Sequence, residues 1–271
     1  MKIAVLKSDL RMEEVANILS NYYEVVYIES YEELKNINNV ESIVPTKVTT
    51  KNLLTIKYLI IGFKNFNRDG KLCINNKLVD IKLVNLEDIT IVAPVPNKFL
   101  ETLSNKKYYF FLDKKVIVDN AELTSEGIIY YLIENTNISI KDLKIDIIGY
   151  GNCGRSIHRW LEDLNIQHRI IRRSTNNNDE RFLNIYDWKK QGSNNIIINT
   201  ADYEIIDHQV IENLNKALII DIATRSNIDT KYALLKNHKI VQVRGIPAIF
   251  AYKTAAKIIS DFIERIICYE N

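Results

Sequence analysis

The chain has 271 residues, 46% hydrophobic and 26% charged, with 8 Gly, 4 Pro and 3 Cys, a composition that excludes a disordered, fibrous or disulfide-built protein and leaves a packed globular one of two modest domains or one large one. Lys plus Arg number 36 against 34 Asp plus Glu, a formal net charge of +2, too balanced to advertise nucleic acid or a membrane surface as partner. The opening Met1-Lys2-Ile3-Ala4-Val5-Leu6-Lys7 lacks the apolar core of a signal peptide, and no later apolar run approaches the roughly 18 residues of a membrane span, so the chain reads as cytoplasmic. Cys73, Cys153 and Cys268 are too far apart for a short metal-binding pair and odd in number, and are expected to be inert thiols.

Short β-branched or aromatic runs alternate with helical patterns, the signature of βαβ units and a parallel sheet. Residues 1–6, 23–28, 58–63, 89–94 and 108–112 read as strands of a first half, with Met12, Val15 and Leu19 at helical spacing after the first. Residues 64–86 read as a loop with a small hairpin at Asn75-Asn76, and 97–103 as a short helix after Pro96. A helix over 125–135, capped by Thr124 or Ser125 and with Gly127 in its first turn, is expected to bridge the two halves. The second half opens on a strand at Lys144–Ile148, then a glycine cluster, then a helix whose Ile157, Trp160, Leu161 and Leu164 share one face. Further strands are expected at 167–171, 196–199, 217–222 and 239–243, and a last helix over 251–267 carries an apolar stripe that needs a partner surface. The four histidines, His158, His168, His208 and His238, are scattered and are expected at the surface.

Three of the eight glycines fall within six residues, in Ile148-Gly149-Tyr150-Gly151-Asn152-Cys153-Gly154. This fits G-x-G-x-x-G directly after an apolar strand and opening an amphipathic helix. Gly149 permits the tight turn, Gly151 lets backbone approach a pyrophosphate, and Gly154 lets helix and strand pack closely, with Asn152 and Cys153 completing the loop. The anion would then sit on the free N–H groups at the positive end of the helix. An acidic residue about 20 positions on would hold the ribose 2′-OH of NAD. Here Arg172-Arg173-Ser174 arrive instead, and guanidinium–phosphate bonds favour the 2′-phosphate of NADP. A glycine-rich turn that binds nothing and a solvated basic turn are the plainer alternatives. The expected fold class is α/β with two doubly wound domains. The first, flavodoxin-like, comprises residues 1–122 and is completed by the C-terminal helix of 250–271; a bridging helix and a Rossmann dinucleotide-binding domain occupy 123–249.

Several stretches together resemble the A-type subunit family of dipicolinate synthase, bacterial sporulation enzymes that make pyridine-2,6-dicarboxylate. These are Lys2-Ile3-Ala4-Val5 with Asp9 and Arg11, Asn120 with Thr124-x-Glu126-Gly127, Ile133-Glu134-Asn135-Thr136, the glycine loop with Arg173-Ser174, and Asn199-Thr200. Asp221-Ile222-Ala223-Thr224-Arg225 and Gly245-Ile246-Pro247 with Ala251-x-Lys253-Thr254-Ala255 complete the pattern. The chain departs from it at Leu123, at Asn227-Ile228, at Ala248 and Tyr252, and in the bulky, basic stretch Gly62-Phe63-Lys64-Asn65-Phe66-Asn67. The resemblance implies NADP-dependent oxidation of a dihydrodipicolinate-type ring in the cytoplasm of a sporulating mother cell, together with a smaller, flavoprotein-like B-type subunit; homo-oligomerisation stays open. It assigns Asn199, Thr200 and Ala223 to the cofactor edge. It implies that Arg225 clamps one substrate carboxylate, that Lys253 with Thr254 binds the other at a helix N-terminus, that Arg11 supplements them, and that Glu126 accepts a proton or orients a cation. Thr124 is either a substrate contact or a plain helix cap. Surface ion pairs, a solvated lysine and a helix-start charge are the plainer readings of Arg225, Arg11, Lys253 and Glu126. A D-2-hydroxyacid dehydrogenase-like oxidoreductase and a non-catalytic NADP(H)-binding regulator are the rival functions.

Overall fold

The computed structural model describes residues 1–35, 56–67, 69–80, 86–173, 179–226 and 228–270. Residues 1–119 with 251–271 form one unit and residues 120–250 the other.

The first unit begins with β1 (Lys2–Leu6), α1 (Leu10–Leu19), β2 (Glu24–Ile28), α2 (Tyr31–Lys35) and β3 (Ile56–Ile60). A two-stranded hairpin, β4 (Cys73–Ile74) and β5 (Lys77–Leu78), precedes β6 (Thr90–Ala93) and β7 (Lys107–Tyr109). The main sheet runs β2-β1-β3-β6-β7 with all pairs parallel, the doubly wound order of flavodoxin-like sheets. Side chains alternate across it: Ala4, Leu6, Leu59 and Ile91 enter one core, Ile3, Val5, Ile60 and Val92 the other. A sheet buried on both faces reads as a continuous apolar run, which is why β1 was legible as Ile-Ala-Val-Leu.

Details differ from the sequence expectation. The hairpin turns at Asn75 and Asn76, both with positive φ (48° and 63°), the type I′ geometry that asparagine tolerates. Residues 68 and 81–85 of the expected loop lie outside the described residues. The helix expected over 97–103 is a single 3-10 turn, Leu100–Thr102, held where Asn97 Oδ1 accepts the Leu100 N–H at 2.9 Å. The strand expected over 108–112 ends at Tyr109, because Phe110 turns into the core as a 3-10 turn and the Phe111 N–H donates to Pro94 O at 2.9 Å.

The largest correction concerns the bridging helix. It is α3 (Lys114–Asn135), a full three turns longer at its start than expected. Asp113 caps it, its carboxylate accepting the Val116 N–H at 3.0 Å. Thr124 and Ser125 do not cap: their hydroxyls donate to Asn120 O and Ala121 O one turn back, which is how such residues sit mid-helix. Gly127 is likewise internal, and a Cβ there would stand 2.1 Å from Ile246 Cγ2.

The second unit continues with β8 (Lys144–Ile148), α4 (Asn152–Asp163), β9 (Gln167–Arg172), β10 (Phe182–Asn184), α5 (Ile185–Gln191), β11 (Ile196–Asn199), α6 (His208–Asn213), β12 (Leu218–Asp221), α7 (Thr230–Leu235), β13 (Lys239–Gln242) and α8 (Ile246–Phe250). Its sheet order is β10-β9-β8-β11-β12-β13, all parallel. Numbered within the unit this is 3-2-1-4-5-6, the Rossmann order, whose ligand crevice lies beyond the carboxyl ends of the strands at the switch between the first and fourth, here β8 and β11. The chain then enters α9 (Tyr252–Glu270), which returns to the first unit and lays Ala256, Ile259, Phe262, Ile263 and Ile267 against Met12, Val15 and Leu19 of α1 in one cluster. The apolar stripe of the last helix thus finds its partner surface. The fold is α/β with two doubly wound parallel sheets.

Candidate functional site

The glycine loop stands at the carboxyl end of β8, at that switch. Gly149 has φ +97°, a left-handed conformation reserved for glycine, and a Cβ there would meet Thr200 Oγ1 at 2.5 Å. At Gly154 a Cβ would lie 2.3 Å from Gly149 O and 3.0 Å from Gly149 C, so α4 can rest on its own loop only without a side chain. Gly151 differs: nothing lies within 4 Å of the Cβ position, leaving open space over the loop. It forms the N-cap of the 12-residue α4 with no side-chain cap, so the N–H groups of the first turn have no helical acceptor and face an anion site at the positive helix end. A cradle closed beneath and open above fits a pyrophosphate. Asn152 and Cys153 head this helix; burial pushes the Cys153 thiol up, so it stays neutral.

Around the loop, cations rest on aromatic rings. The Arg155 guanidinium lies 5.4 Å from the Tyr150 ring centroid, Arg172 lies 5.9 Å from Tyr150 and 5.5 Å from Phe182, and Arg173 lies 4.8 Å from Tyr203. Ser174 lies outside the described residues. Sequence reasoning missed Tyr150, Phe182 and Tyr203, because nothing local in sequence announces which aromatic will meet which arginine.

Asn199, Thr200 and Ala223 occur where the strands end, and their polar groups are engaged within the protein. The Thr200 hydroxyl donates to Ile148 O at 2.9 Å, and Asn199 Nδ2 donates to Asp221 Oδ1 at 2.9 Å while its Oδ1 accepts the Ala201 N–H at 3.2 Å. The Ala223 N–H donates to Asp221 Oδ1 at 3.3 Å. Asp221, fully buried, also accepts from Gln242 Nε2 at 3.1 Å and Arg244 Nη2 at 3.3 Å. That network fixes the turn carrying Arg225, whose N–H donates to Asp202 Oδ1 at 3.1 Å and whose side chain is exposed without an ion pair among the described residues. A lone acid in an otherwise apolar strand was the sequence signal for Asp221.

The remaining candidates are divided between the units. Thr124 and Glu126 lie on α3 in the second unit, Thr124 buried with its hydroxyl committed to the helix and Glu126 exposed. Arg11, Lys253 and Thr254 belong to the first unit. Arg11 is not a free cation: it is 6% exposed, donates through Nε and Nη2 to Asp9 at 3.0 and 2.7 Å, and lies 5.2 Å from the Phe63 ring. Asp9 is at once the N-cap of α1 and this partner, a role that the Asp-x-Arg spacing could have signalled. Lys253 and Thr254 are exposed in the first turn of α9.

Three of the four histidines are buried, against expectation. His238 accepts the Ala217 N–H at Nδ1 and donates from Nε2 to Ile211 O, at 3.0 and 2.9 Å. His158 and His168 pair, Nδ1 to Nε2, at 2.7 Å, and His168 Nδ1 donates to Ile166 O at 2.7 Å; the chain of bonds requires a neutral His168 that accepts at Nε2 and a proton on His158 Nδ1, while His158 Nε2 lies 3.4 Å from Glu162 Oε2. Burial lowers both from the ordinary 6.5, Arg181 adding to it and Glu162 opposing. Because the unfolded chain takes up these protons first, the stabilisation is complete above pH 6.5 and lost as pH falls below it, with a limiting slope of about 1.4 kcal/mol per pH unit for each ring. Thermal unfolding followed between pH 8 and 5 is expected to show this decline, and His168→Gln to flatten it.

No family model matches the chain. The A-type subunit of dipicolinate synthase from Bacillus subtilis (strain 168) is 23% identical over 292 residues, covering 98% of this chain and 96% of that one, and its crystal structure superposes with TM-score 0.79. The corresponding structure from Bacillus halodurans gives TM-score 0.79 at 18% identity, covering 98% of this chain and 97% of the other. The apo-structure of D-lactate dehydrogenase from Escherichia coli gives 0.60 at 12% identity, covering 100% and 97%, a likeness of fold. Along nearly the whole of both chains, this chain is thus similar in sequence to the A-type subunit of dipicolinate synthase and shares the fold of the two solved A chains.

Proposed function

We propose that the chain is an NADP(H)-dependent oxidoreductase that converts a dihydrodipicolinate-type ring to the aromatic pyridine dicarboxylate, in the cytoplasm of a sporulating cell and together with a B-type, flavoprotein-like partner. The observation that carries this reading is the open-topped glycine cradle of Gly149, Gly151 and Gly154 beside an exposed Arg173. When bound, the nicotinamide supplies the hydride acceptor. The ring loses one hydride to the oxidised nicotinamide and one proton to a base, and the gain of aromaticity makes the step downhill. The protein's task is then to bind and orient. The first turn of α4 holds the pyrophosphate, Arg173 the 2′-phosphate, and Asn199, Thr200 and Ala223 shape the carboxyl edge beneath them. Arg225 in the second unit and Lys253 with Thr254 in the first are the carboxylate-binding cations and hydroxyl; Glu126, exposed on α3, is the candidate proton acceptor. The Arg11 guanidinium keeps Asp9 and the start of α1 in place, and Thr124 serves the helix.

The D-2-hydroxyacid reading needs a catalytic histidine late in the chain. None follows His238, and both nitrogens of that ring are engaged with backbone. Titration of the purified chain with NADPH and NADH, followed by turnover of dihydrodipicolinate with and without the B-type protein, tests the proposal. Tighter binding of NADPH and formation of the pyridine dicarboxylate are expected. Binding without turnover even in the presence of the partner would leave a cofactor-binding regulator, and absence of binding would remove the whole reading.

A further inference from the structure

We propose that Tyr203 is the residue that sets the preference for a 2′-phosphorylated cofactor, by holding the Arg173 guanidinium in place while leaving its charge uncancelled. The inference rests on the NADP(H) reading above and adds a specificity-determining residue to it.

In the sheet, β9 and β11 flank β8 on either side. Arg173 directly follows β9, and Tyr203 lies in the turn after β11, so the two side chains reach toward each other over the carboxyl end of the strand that feeds the glycine loop. They meet with the guanidinium carbon 4.8 Å from the ring centroid. The turn bearing Tyr203 is itself anchored: the Ala201 N–H donates to Asn199 Oδ1, and Asp202 Oδ1 accepts the Arg225 N–H.

Arg155 and Arg172 also rest on rings, whereas two other arginines of this unit are spent on carboxylates. Arg169 is neutralised by the buried Asp146, and Arg181 by Asp179 and Glu162. Arg173 is exposed and has no carboxylate partner among the described residues. A carboxylate in place of Tyr203 would restrict the guanidinium but spend its charge and its donors on itself. An aromatic face restricts it through the ring quadrupole without cancelling its charge or taking up its donors as a carboxylate would. Those donors are the ones a phosphate takes in bidentate fashion. Tyr203 is therefore a positioning residue that acts through Arg173.

The test uses the full chain and two probes, 2′,5′-ADP and 5′-AMP, which differ only in the 2′-phosphate. Binding is measured by calorimetry for the wild type, Tyr203→Phe and Tyr203→Leu, with thermal unfolding to verify that each variant is folded. Tyr203→Phe keeps the ring and is expected to keep the preference for 2′,5′-ADP. Tyr203→Leu keeps bulk without the π face and is expected to weaken 2′,5′-ADP about two- to five-fold and to leave 5′-AMP unchanged. Equal weakening of both probes would make Tyr203 a plain support for the adenosine and overturn the proposal, as would an unchanged ratio. A wild type that does not prefer 2′,5′-ADP over 5′-AMP would instead overturn the NADP(H) reading, and this proposal with it.

Discussion

Replacing Asp146 with alanine is expected to destabilise the second unit by about 3–5 kcal/mol, the usual cost of breaking a buried pair from one side. Asp146 is fully buried in β8. Its two oxygens accept five hydrogen bonds: from Arg169 Nε and Nη2 at 2.8 and 2.9 Å, Trp188 Nε1 at 2.7 Å, and Asn194 N and Nδ2, both at 2.8 Å. One carboxylate thereby ties β8 to β9, to α5 and to the start of β11. Removing it strips the part-exposed Arg169 of its ion-pair partner, leaving it the Gly192 carbonyl, and leaves the buried Trp188 indole N–H and the Asn194 backbone N–H without their acceptor. Asp146→Asn is expected to be nearly as harmful, since its amide nitrogen would face donors rather than acceptors. Thermal unfolding is the measurement, with a fall in Tm of roughly 10 °C expected for the transition of this unit. A shift under about 2 °C would show that the surrounding donors find water, and that the network is less enclosed than its geometry implies.

Arg173→Asp is expected to invert the cofactor preference. Under the NADP(H) reading, the substitution removes charge-assisted bonds to the 2′-phosphate, each worth about 1.5–3 kcal/mol, and places a carboxylate where it can accept the ribose 2′-OH of NADH. The ratio of NADPH to NADH affinity should fall about 100-fold, from loss on one side and gain on the other. Fluorescence titration with both reduced cofactors reads it directly. Since Arg173 is exposed, folding should be unaffected, which separates this outcome from the loss of stability expected at Asp146. An unchanged ratio would take Arg173, and the choice of NADP(H), out of the mechanism.

The parts of this protein legible in its sequence are those whose cause is local. Strand β8, the glycine turn and α4 follow from an apolar run, a turn no other residue type could make and a helical stripe, all contiguous. What escaped is what depends on distant residues. The start of α3 was missed because Val116, Ile117 and Val118 are β-branched, and because Thr124 and Ser125 have the side chains of caps. Only the tertiary setting shows that Asp113 caps the helix and also meets Arg265 of α9. His158 and His168 looked solitary because their bond crosses the turn between α4 and β9. In the candidate site, the glycines and the two arginines could be read from spacing, whereas the aromatic rings beneath the arginines could not. Arg11, read from the sequence as a supplementary carboxylate contact or a surface ion-pair residue, is buried and held by Asp9 two residues away, and that short-range pairing was there to be read.

The return of α9 to the first unit bears on how the protein is made. Residues 120–250 are contiguous, so every strand of the second sheet is synthesised before α9 begins. The first unit is assembled from both ends of the sequence, and the face of α1 that receives Ala256, Ile259 and Phe262 must wait for them while the whole of the intervening unit is translated. In order of synthesis, the chain of the second unit is therefore complete before that of the first. The α1 face, bare until then, is where a nascent chain of this design most needs a chaperone's cover.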